Sequence, residues 1–388
     1  MNLIDATRQR LKQRYPRHTT PPRFFRAPGR VNLIGEHTDY NDGFTLPAAL
    51  NFETVVAAIP LNERRVEVFA LDKNEADSFD LDAPITPHPV KNWANYVRGM
   101  AKTLLSEGKH LRGIAMAVSG NVPTSGGLSS SASFEMALGY AFLQLSGYRV
   151  NGVSLALSGQ KTENNFVGVQ CGIMDQFISA LGQKDHALLI DCRDLSYKPI
   201  PIPPDTAIIV VDSGLRRGLV DSEYNTRRQQ CQTAAAHFGV KALRDVDQAA
   251  FAQRAHELSA LIRRRARHVI TENARVLAAA QALAEGNIAQ LGPLMAESQR
   301  SMREDFEITV PAIDTLVEIL QSSPGVYGAR MTGGGFGGSC VALSPKNAVP
   351  AIKEAVDRRY QAETGYRPAF YVCQAADGAG EIAVKEQE

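Results

Sequence analysis

The sequence predicts a mixed α/β or α+β fold in two domains, and three observations support this prediction. Apolar runs of strand length alternate with segments of helical periodicity, which excludes an all-helical bundle. The chain has 388 residues, more than one hydrophobic core usually serves. The run from Pro199 to Pro204 lacks so many amide donors that we expect irregular structure there, and a boundary between domains 1–203 and 204–388.

The sequence predicts a short docking helix at the start of the chain. Apolar residues from Leu3 to Leu11 have helical spacing, and Pro16 closes the segment. A basic transit peptide is the alternative, and we favour the helix.

The second half begins with a predicted buried strand at 207–212 and continues with helical periodicity from 223 to 320. Pro293 and Pro311 interrupt that periodicity. The last third returns to strands at 328–331, 339–343 and 368–373, around a helix at 349–364. We expect a loose tail after residue 375.

Composition limits the classes of partner. Lys and Arg number 42 against 41 Asp and Glu, so no overall field would recruit nucleic acid or an anionic membrane. No apolar run approaches the length of a membrane span. The five cysteines are widely spaced and form no CxxC pair, which favours unpaired thiols in a reducing cytoplasm. We expect a cytoplasmic monomer whose partners are small molecules.

The segment from Arg30 to Gly43 changes abruptly from a strand into a crowd of hydrogen-bonding groups. Apolar residues at 31, 33 and 34 predict a short core strand. Arg30, Glu36, His37 and Asp39 then offer donors and acceptors suited to a polyhydroxylated ligand. A charged turn beside a strand is the structural alternative.

The segment from Gly126 to Ala132 lies at the start of a predicted amphipathic helix. Backbone amides at a helix N-terminus bind anions, and glycine lets a phosphate approach the main chain closely. No acidic residue precedes Glu135 in this helix, which leaves the positive end of its dipole available to an external anion. A serine-capped helix after a tight turn is the alternative. The chain contains no P-loop and no protein-kinase motif.

Asp175 lies in the apolar stretch 171–178, where a carboxylate requires a partner. We predict Arg30 as that partner, because a guanidinium keeps a buried carboxylate ionised and also faces negative charge on a transferred group. An inert buried ion pair is the alternative.

Gly333, Gly335 and Gly338 satisfy the spacing of a dinucleotide-binding fingerprint. That fingerprint joins a strand to a helix, whereas residues 339–343 predict a second strand. We therefore expect a glycine-dense turn that brings the backbone close to a nucleotide and to the segment that follows Arg30.

Three of these segments together resemble the motifs of galactokinases, members of the GHMP small-molecule kinase superfamily. The resemblance rests on Arg30–Gly43, Pro123–Ala132 and Met331–Gly338, with Cys171–Gln176 and Ser222–Asn225 in addition. It implies an N-terminal domain with a left-handed β-α-β unit, a ferredoxin-like C-terminal domain, and an active site in the cleft between them.

The resemblance also implies a role for each matching residue. Asp175 and Arg30 would be catalytic, and Ser131 with Glu163 would bind magnesium. ATP and galactose would be the substrates. The residues implied in sugar binding are Glu36, His37, Thr38, Asp39, Gly172 and Tyr224. Those implied in nucleotide binding are Ser125, Gly126, Gly127, Leu128, Ser129, Ser130 and Ser131.

Three alternatives remain open at this level. One is a catalytically silent sensor that binds sugar and nucleotide. Another is a kinase for N-acetylgalactosamine or a different sugar. An NAD-dependent oxidoreductase is the weakest of the three, because the glycine-rich segment lies in the wrong context.

Overall fold

A computed structural model describes residues 2–123, 126–215 and 220–384, and its elements are numbered in chain order. The helices are α1 (Leu3–Arg14), α2 (Asn92–Ser106), α3 (Ser130–Leu145), α4 (Gly152–Thr162), α5 (Met174–Leu181), α6 (Val220–Phe238), α7 (Gln248–Arg254), α8 (Ala260–Ala284), α9 (Leu291–Ser301), α10 (Pro311–Ser322) and α11 (Val349–Thr364). The strands are β1 (Arg23–Asn32), β2 (Phe44–Thr45), β3 (Pro47–Pro60), β4 (Arg65–Ala70), β5 (Glu75–Asp80), β6 (Ile114–Gly120), β7 (His186–Asp191), β8 (Tyr197–Pro201), β9 (Thr206–Asp212), β10 (Gly328–Thr332), β11 (Ser339–Pro345), β12 (Ala369–Cys373) and β13 (Gly380–Ile382).

The largest sheet has the strand order β13-β1-β3-β6-β4-β5 and is covered on both faces. Successive side chains of a strand point to opposite faces. Val56 and Ala58 of β3 accordingly join the core under helices α2 to α5, whereas Ala57 and Ile59 face Leu11 of α1. The predicted docking helix is therefore confirmed. Strands β4 and β6 run parallel and are joined through β5 and α2.

The second sheet is antiparallel with the order β10-β11-β9-β12. Its strands and helices follow one another as β-α-β-β-α-β, which is the ferredoxin-like arrangement that the family resemblance implies. Ile209 and Val211 of β9 face the helices of the second half. Ile208 and Val210 face the other way and share a core with Leu33 of the first half.

Strand β8 corrects one prediction. The proline-rich run was expected to be irregular, yet Pro199 and Pro201 lie in β8 and pair with Leu188 and His186 of β7. The reason is position: β8 is at the edge of a three-stranded sheet of order β2-β7-β8, where a missing amide donor breaks no ladder. The division into domains 1–203 and 204–388 stays a prediction.

The C-terminal segment corrects a second prediction. Residues after 375 were expected to be loose, but β13 pairs with β1, with Ile382 opposite Phe24. Backbone bonds from Ala376 N–H to Ala49 O and from Ala379 N–H to Ser179 O, at 3.0 and 2.9 Å, lead into that strand. The open edge of β1 supplies pairing partners that the sequence of the tail cannot reveal.

Two further predictions can be compared with the structure. All five cysteines are free thiols, as their spacing indicated. Within the described ranges, the helices are each too short or too polar to cross a membrane.

Candidate active site

The β1–β2 loop (residues 33–43) leaves the large sheet at the end of β1. Leu33 and Ile34 are fully buried and anchor its start. The backbone φ angle of Gly35 is +107°, a value that residues with a side chain rarely adopt. The Thr38 hydroxyl donates to the carbonyl oxygens of Gly35 at 2.9 Å and Phe44 at 2.7 Å. Thr38 therefore shapes the loop, and its sugar contact stays a prediction.

Helix α8 forms hydrogen bonds with the same loop. Gly35 N–H donates to Glu272 Oε1 at 3.0 Å, and Phe44 N–H donates to Asn273 Oδ1 at 2.9 Å. His268 Nε2 lies 3.1 Å from the carbonyl oxygen of Glu36. One helix face from the second half of the chain thus fixes the loop contributed by the first half.

A cavity of about 300 Å³ opens beside this loop. Most of the predicted site residues line it, and they come from both halves of the chain. The lining residues are Arg30, Glu36, His37, Asp39, Gly127, Leu128, Ser129, Ser130, Ser131, Glu163, Gly168, Val169, Gln170, Cys171, Gly172, Met174, Asp175, Tyr224, Asn225, Gly333 and Gly334. Gly126 and Thr38 lie behind this surface, and Ser125 lies outside the described residues.

The predicted pair of Arg30 and Asp175 is present. Arg30 Nε and Nη2 donate to Asp175 Oδ1 and Oδ2, both at 2.8 Å, and Nη1 donates to Gly127 O at 2.7 Å. Such a two-pronged contact fixes the orientation of the carboxylate. The Arg30 side chain is 5% exposed and that of Asp175 is 31% exposed, so the carboxylate faces the cavity while its partner is buried.

Ser129 is a third member of this group. Its Oγ donates to Asp175 Oδ2 at 2.5 Å. Ser129 precedes α3 in a left-handed conformation, with φ 57°, and its side chain makes no capping bond to that helix. The serine-cap alternative is therefore wrong for Ser129. As predicted, the first turn of α3 carries no acidic residue, so its amides remain available to an anion.

Glu163 lines the cavity, and Glu135 lies beside it, joined to it through Gln176. The amide nitrogen of Gln176 donates to Glu163 Oε2 at 2.8 Å and to Glu135 Oε2 at 3.2 Å, and Ser131 also hydrogen-bonds Glu163. Burial raises the pKa of Glu163, and burial raises that of Glu135 well above its usual value.

These carboxylates suit a divalent cation. Their partners Gln176, Ser131 and Cys171 are neutral, and Glu135 Oε1 has no hydrogen-bond partner within the part of the chain that the structure describes. Oxygen donors of this kind are those that Mg²⁺ prefers. Among the described residues there is no group of three or more His, Cys, Asp or Glu side chains that could hold a metal ion.

Asp39 and Gly172 lie against each other in the cavity lining. A Cβ atom at Gly172 would lie 1.7 Å from Asp39 Oδ2, so this position accepts only glycine while Asp39 keeps its place. Burial, together with the charge of Asp175, raises the pKa of Asp39 to about 6. Tyr224 hydrogen-bonds the backbone of Gly172.

His37 lies in an aromatic cluster. Its ring centroid is 5.0 Å from that of Tyr224 and 4.9 Å from that of Phe306. Nδ1 is 2.7 Å from the Tyr40 hydroxyl, and Nε2 is 3.3 Å from Gly334 O. Burial lowers the pKa of His37 to about 3, and a neutral ring satisfies both contacts if Nε2–H donates and Nδ1 accepts.

With both ring nitrogens occupied, a loop-stabilising role for His37 has direct support, and its sugar contact stays a prediction.

The glycine-rich turn joins β10 to β11, which confirms the strand-turn-strand prediction. Gly333 N–H donates to Glu36 Oε1 at 2.6 Å, and Ser339 Oγ donates to Gly126 O at 2.7 Å. The turn therefore contacts both the β1–β2 loop and the segment before α3.

Sequence reasoning missed Glu135, Gln176 and Arg330. Glu135 shares a helix face with the core residues Leu138 and Phe142, at spacings of three and seven. A carboxylate on a core-facing position was a signal that could have identified it. Gln176 and Arg330 gave no such signal, because their partners are distant in the sequence.

Comparison with known proteins agrees with this geometry. A model of the galactokinase galactose-binding signature matches residues 9–60. Models of the GHMP kinases N terminal domain and of the GHMP kinases C terminal match residues 95–183 and 279–362.

Solved structures are similar over most of the chain. The crystal structure of Lactococcus lactis galactokinase complexed with galactose has 34% sequence identity and a TM-score of 0.93, and the match covers 98% of this chain and 100% of that one. Streptococcus pneumoniae phosphomevalonate kinase, in complex with phosphomevalonate and AMPPNP, has 14% identity, a TM-score of 0.64, and coverage of 90% and 99%. L. major mevalonate kinase, in complex with R-mevalonate, has 17% identity, a TM-score of 0.62, and coverage of 92% and 97%.

The two lower identities show the fold alone. The match at 34% identity extends over nearly the full length of both chains and includes the galactose-binding signature. The chain therefore belongs to the galactokinase family of GHMP kinases.

Proposed function

We propose that this protein transfers the γ-phosphoryl group of ATP to the anomeric hydroxyl of α-D-galactose, giving α-D-galactose 1-phosphate and ADP. The observation that carries the proposal is the Arg30–Asp175 pair, whose carboxylate faces a cavity between the β1–β2 loop and the start of α3. One side of that cavity offers acceptors for sugar hydroxyls, and the other offers helix amides for phosphate.

Asp175 is the proposed acceptor for the proton of the attacking hydroxyl. Because phosphoryl transfer passes through a loose transition state, Asp175 contributes by orienting this hydroxyl in line with the γ-phosphorus as well as by accepting its proton. Arg30 holds the carboxylate in place through two bonds and lies where negative charge develops.

The nucleotide is proposed to bind at residues 126–131, with the triphosphate against the N-terminal amides of α3. Ser131 and Glu163 would hold magnesium, with water and phosphate oxygens as the remaining ligands. When bound, the ion neutralises charge on the phosphates.

The sugar is proposed to contact Glu36, Asp39, Gly172 and Tyr224. A site built from buried acceptors discriminates against analogues that lack a recognised hydroxyl, because the acceptor then stays unpaired. A monomeric, cytoplasmic protein with the domains 1–203 and 204–388 completes the proposal. Light scattering tests the monomer.

The proposal is tested by coupled ADP release with galactose, ATP and Mg²⁺, with glucose and N-acetylgalactosamine as comparison sugars. Galactose-dependent ADP release, and a product that a galactose 1-phosphate uridylyltransferase accepts, are expected. Thermal stabilisation by galactose and ATP without turnover would instead identify a sensor. Higher kcat/KM with N-acetylgalactosamine would reassign the substrate.

A further inference from the structure

Arg330 lies beneath the β1–β2 loop with its side chain fully buried. Nη1 is 3.3 Å from Glu36 Oε2, and Nη2 is 3.8 Å from Glu272 Oε1. Nη1 is also 3.3 Å from the carbonyl oxygen of Leu33, at the start of the loop. A buried arginine is costly to desolvate, so one placed between a site carboxylate and a helix carboxylate requires an explanation.

Glu36 accepts hydrogen bonds on both carboxylate oxygens. Gly333 N–H donates to Oε1, and Asn32 Nδ2 and Arg330 approach Oε2. An ionised carboxylate has about four acceptor positions. The two hydrogen bonds and the Arg330 ion pair therefore occupy about three of these positions and leave roughly one free. Glu36 lines the cavity, where that position can receive a ligand hydroxyl.

The charge of Arg330 opposes the effect of burial on Glu36. Burial raises the pKa of Glu36, and Arg330 is the largest influence that lowers it. Without this guanidinium, the buried carboxyl gains a proton more readily and loses an acceptor position.

Glu272 fixes Arg330 from the other side. Its Oε1 also accepts from Ser298 Oγ at 2.6 Å, and its Oε2 accepts from Arg275 Nε at 2.7 Å. Burial opposes ionisation, but Arg275, His268 and Arg330 together lower the pKa of Glu272 to about 2. The guanidinium is thus held between two anions and has little freedom to move away from Glu36.

We propose that Arg330 is a positioning residue for galactose recognition, which holds the Glu36 carboxylate aimed at one hydroxyl of the sugar. The inference rests on the proposed function, because it requires galactose in this cavity. It assigns Arg330 no contact with the sugar or with ATP.

The test measures dissociation constants for galactose and its 2-, 3-, 4- and 6-deoxy analogues by calorimetry without ATP. The deoxy penalty of a hydroxyl is the factor by which the dissociation constant rises when that hydroxyl is removed from galactose. Glu36→Gln identifies the hydroxyl that Glu36 recognises, since the deoxy penalty of that hydroxyl is smaller in this variant. In the wild type we expect that penalty to be roughly ten- to a hundredfold. Arg330→Met, which removes the charge and keeps the bulk, is expected to reduce the same penalty to a few-fold while the other penalties stay unchanged.

Steady-state kinetics give a second readout. Arg330→Met is expected to raise KM for galactose, with KM for ATP unchanged and kcat within a few-fold. A merely structural arginine would lower Tm without altering selectivity among the analogues.

Arg98→Met is the matched control. Arg98 of α2 makes a two-pronged ion pair with Asp77 at 2.7 and 2.8 Å, outside the cavity lining. This variant is expected to lower Tm and to keep every deoxy penalty. Arg330→Lys serves if Arg330→Met does not fold, because lysine keeps the charge but not the planar fork, and an intermediate penalty is expected.

Unchanged deoxy penalties in the Arg330 variants, or an equal loss of affinity for all sugars, would overturn the inference. Wild-type protein that does not bind galactose would instead overturn the proposed function.

Discussion

Two arginine–carboxylate clusters each contribute a carboxylate to the cavity lining, and they differ in how far that carboxylate is exposed. In the first, Asp175 is 31% exposed while Arg30 is 5% exposed. In the second, Arg330 is 0% exposed and Glu36 is 2% exposed. An ion pair that leaves its carboxylate open to a ligand can take part in a reaction, whereas a nearly buried pair shapes the site and offers a ligand about one acceptor position.

The surroundings of the two clusters explain this difference. Asp175 is in the first turn of α5 at the cavity surface, with Ser129 as its other bonding partner. Glu36 is enclosed by Asn32, Gly333 and Arg330. Substitutions in the two clusters and in the rest of the cavity lining test this contrast.

Asp175→Asn removes the exposed carboxylate while keeping its shape. We expect kcat to fall by about a thousandfold, the middle of the range for a lost general base, with the dissociation constant of galactose little changed. Asp77→Asn is the matched control, because Asp77 has the same two-pronged contact with Arg98 away from the cavity. Near-native kcat in Asp175→Asn would remove this residue from the reaction.

Gly172→Ala tests the part of the cavity lining that Gly172 forms with Asp39. The added Cβ would lie 1.7 Å from Asp39 Oδ2, so the carboxylate must move out of place. We expect KM for galactose to rise by about ten- to a hundredfold, because a misplaced acceptor loses a charge-assisted hydrogen bond. Gly380→Ala is the control, since a Cβ there has nothing within 4 Å. Unchanged KM in Gly172→Ala would show that Asp39 does not bind the sugar.

Ser129→Ala and Ser129→Gly separate the hydrogen bond to Asp175 from backbone strain. Both variants lose the bond of 2.5 Å and are expected to lower kcat by about tenfold. Only glycine relieves the left-handed conformation at φ 57°, so Ser129→Gly should be more stable than Ser129→Ala by about 1 kcal/mol. Denaturant unfolding measures this difference. Equal kcat in the wild type and both variants would contradict the positioning role.

Lowering the pH should weaken galactose binding through Asp39. Its pKa of about 6 in the folded protein means that it gains a proton as the pH falls from 7 to 5, and it then loses an acceptor position. We expect a several-fold rise in the dissociation constant over that window.

The effect of Asp39 on stability has the opposite sign. A carboxyl whose pKa is raised by folding stabilises the folded state below its unfolded pKa, and that contribution is lost as the pH rises through about 6. The sugar-free protein should therefore gain stability from this group over the window in which affinity falls. Asp39→Asn is expected to flatten both profiles, and a pH-independent dissociation constant in the wild type would contradict this role of Asp39.

Much of the site was predictable because its sequence patterns are local or contain a charged residue that requires a partner of opposite charge. Small residues before an amphipathic helix predicted the start of α3 as an anion site, and no acidic residue occupies its first turn. An aspartate in an apolar stretch required a cation, and Arg30 supplies it. The strand after the glycine-rich turn excluded a dinucleotide fingerprint, as the pairing of β10 with β11 confirms.

The misses have a common cause, since each depends on a neighbour that is distant in the sequence. Prolines at 199 and 201 fit a strand only because β8 is an edge strand. The tail becomes β13 only because β1 has an open edge. The sugar contacts of Thr38 and His37 are not among these misses and stay predictions, although backbone acceptors in the loop occupy the Thr38 hydroxyl and Tyr40 and Gly334 occupy both nitrogens of His37.

By itself, the sequence determined the order of the motifs, the alternation of strands and helices, and which residue types could bind a sugar and a phosphate. Local periodicity and the cost of burying charge are sufficient for those inferences. The tertiary structure alone decided which polar groups face the cavity and which face the protein. It joined Arg330 to Glu36 across about three quarters of the chain, because the partner of a buried charge is set by packing in three dimensions and not by distance along the chain.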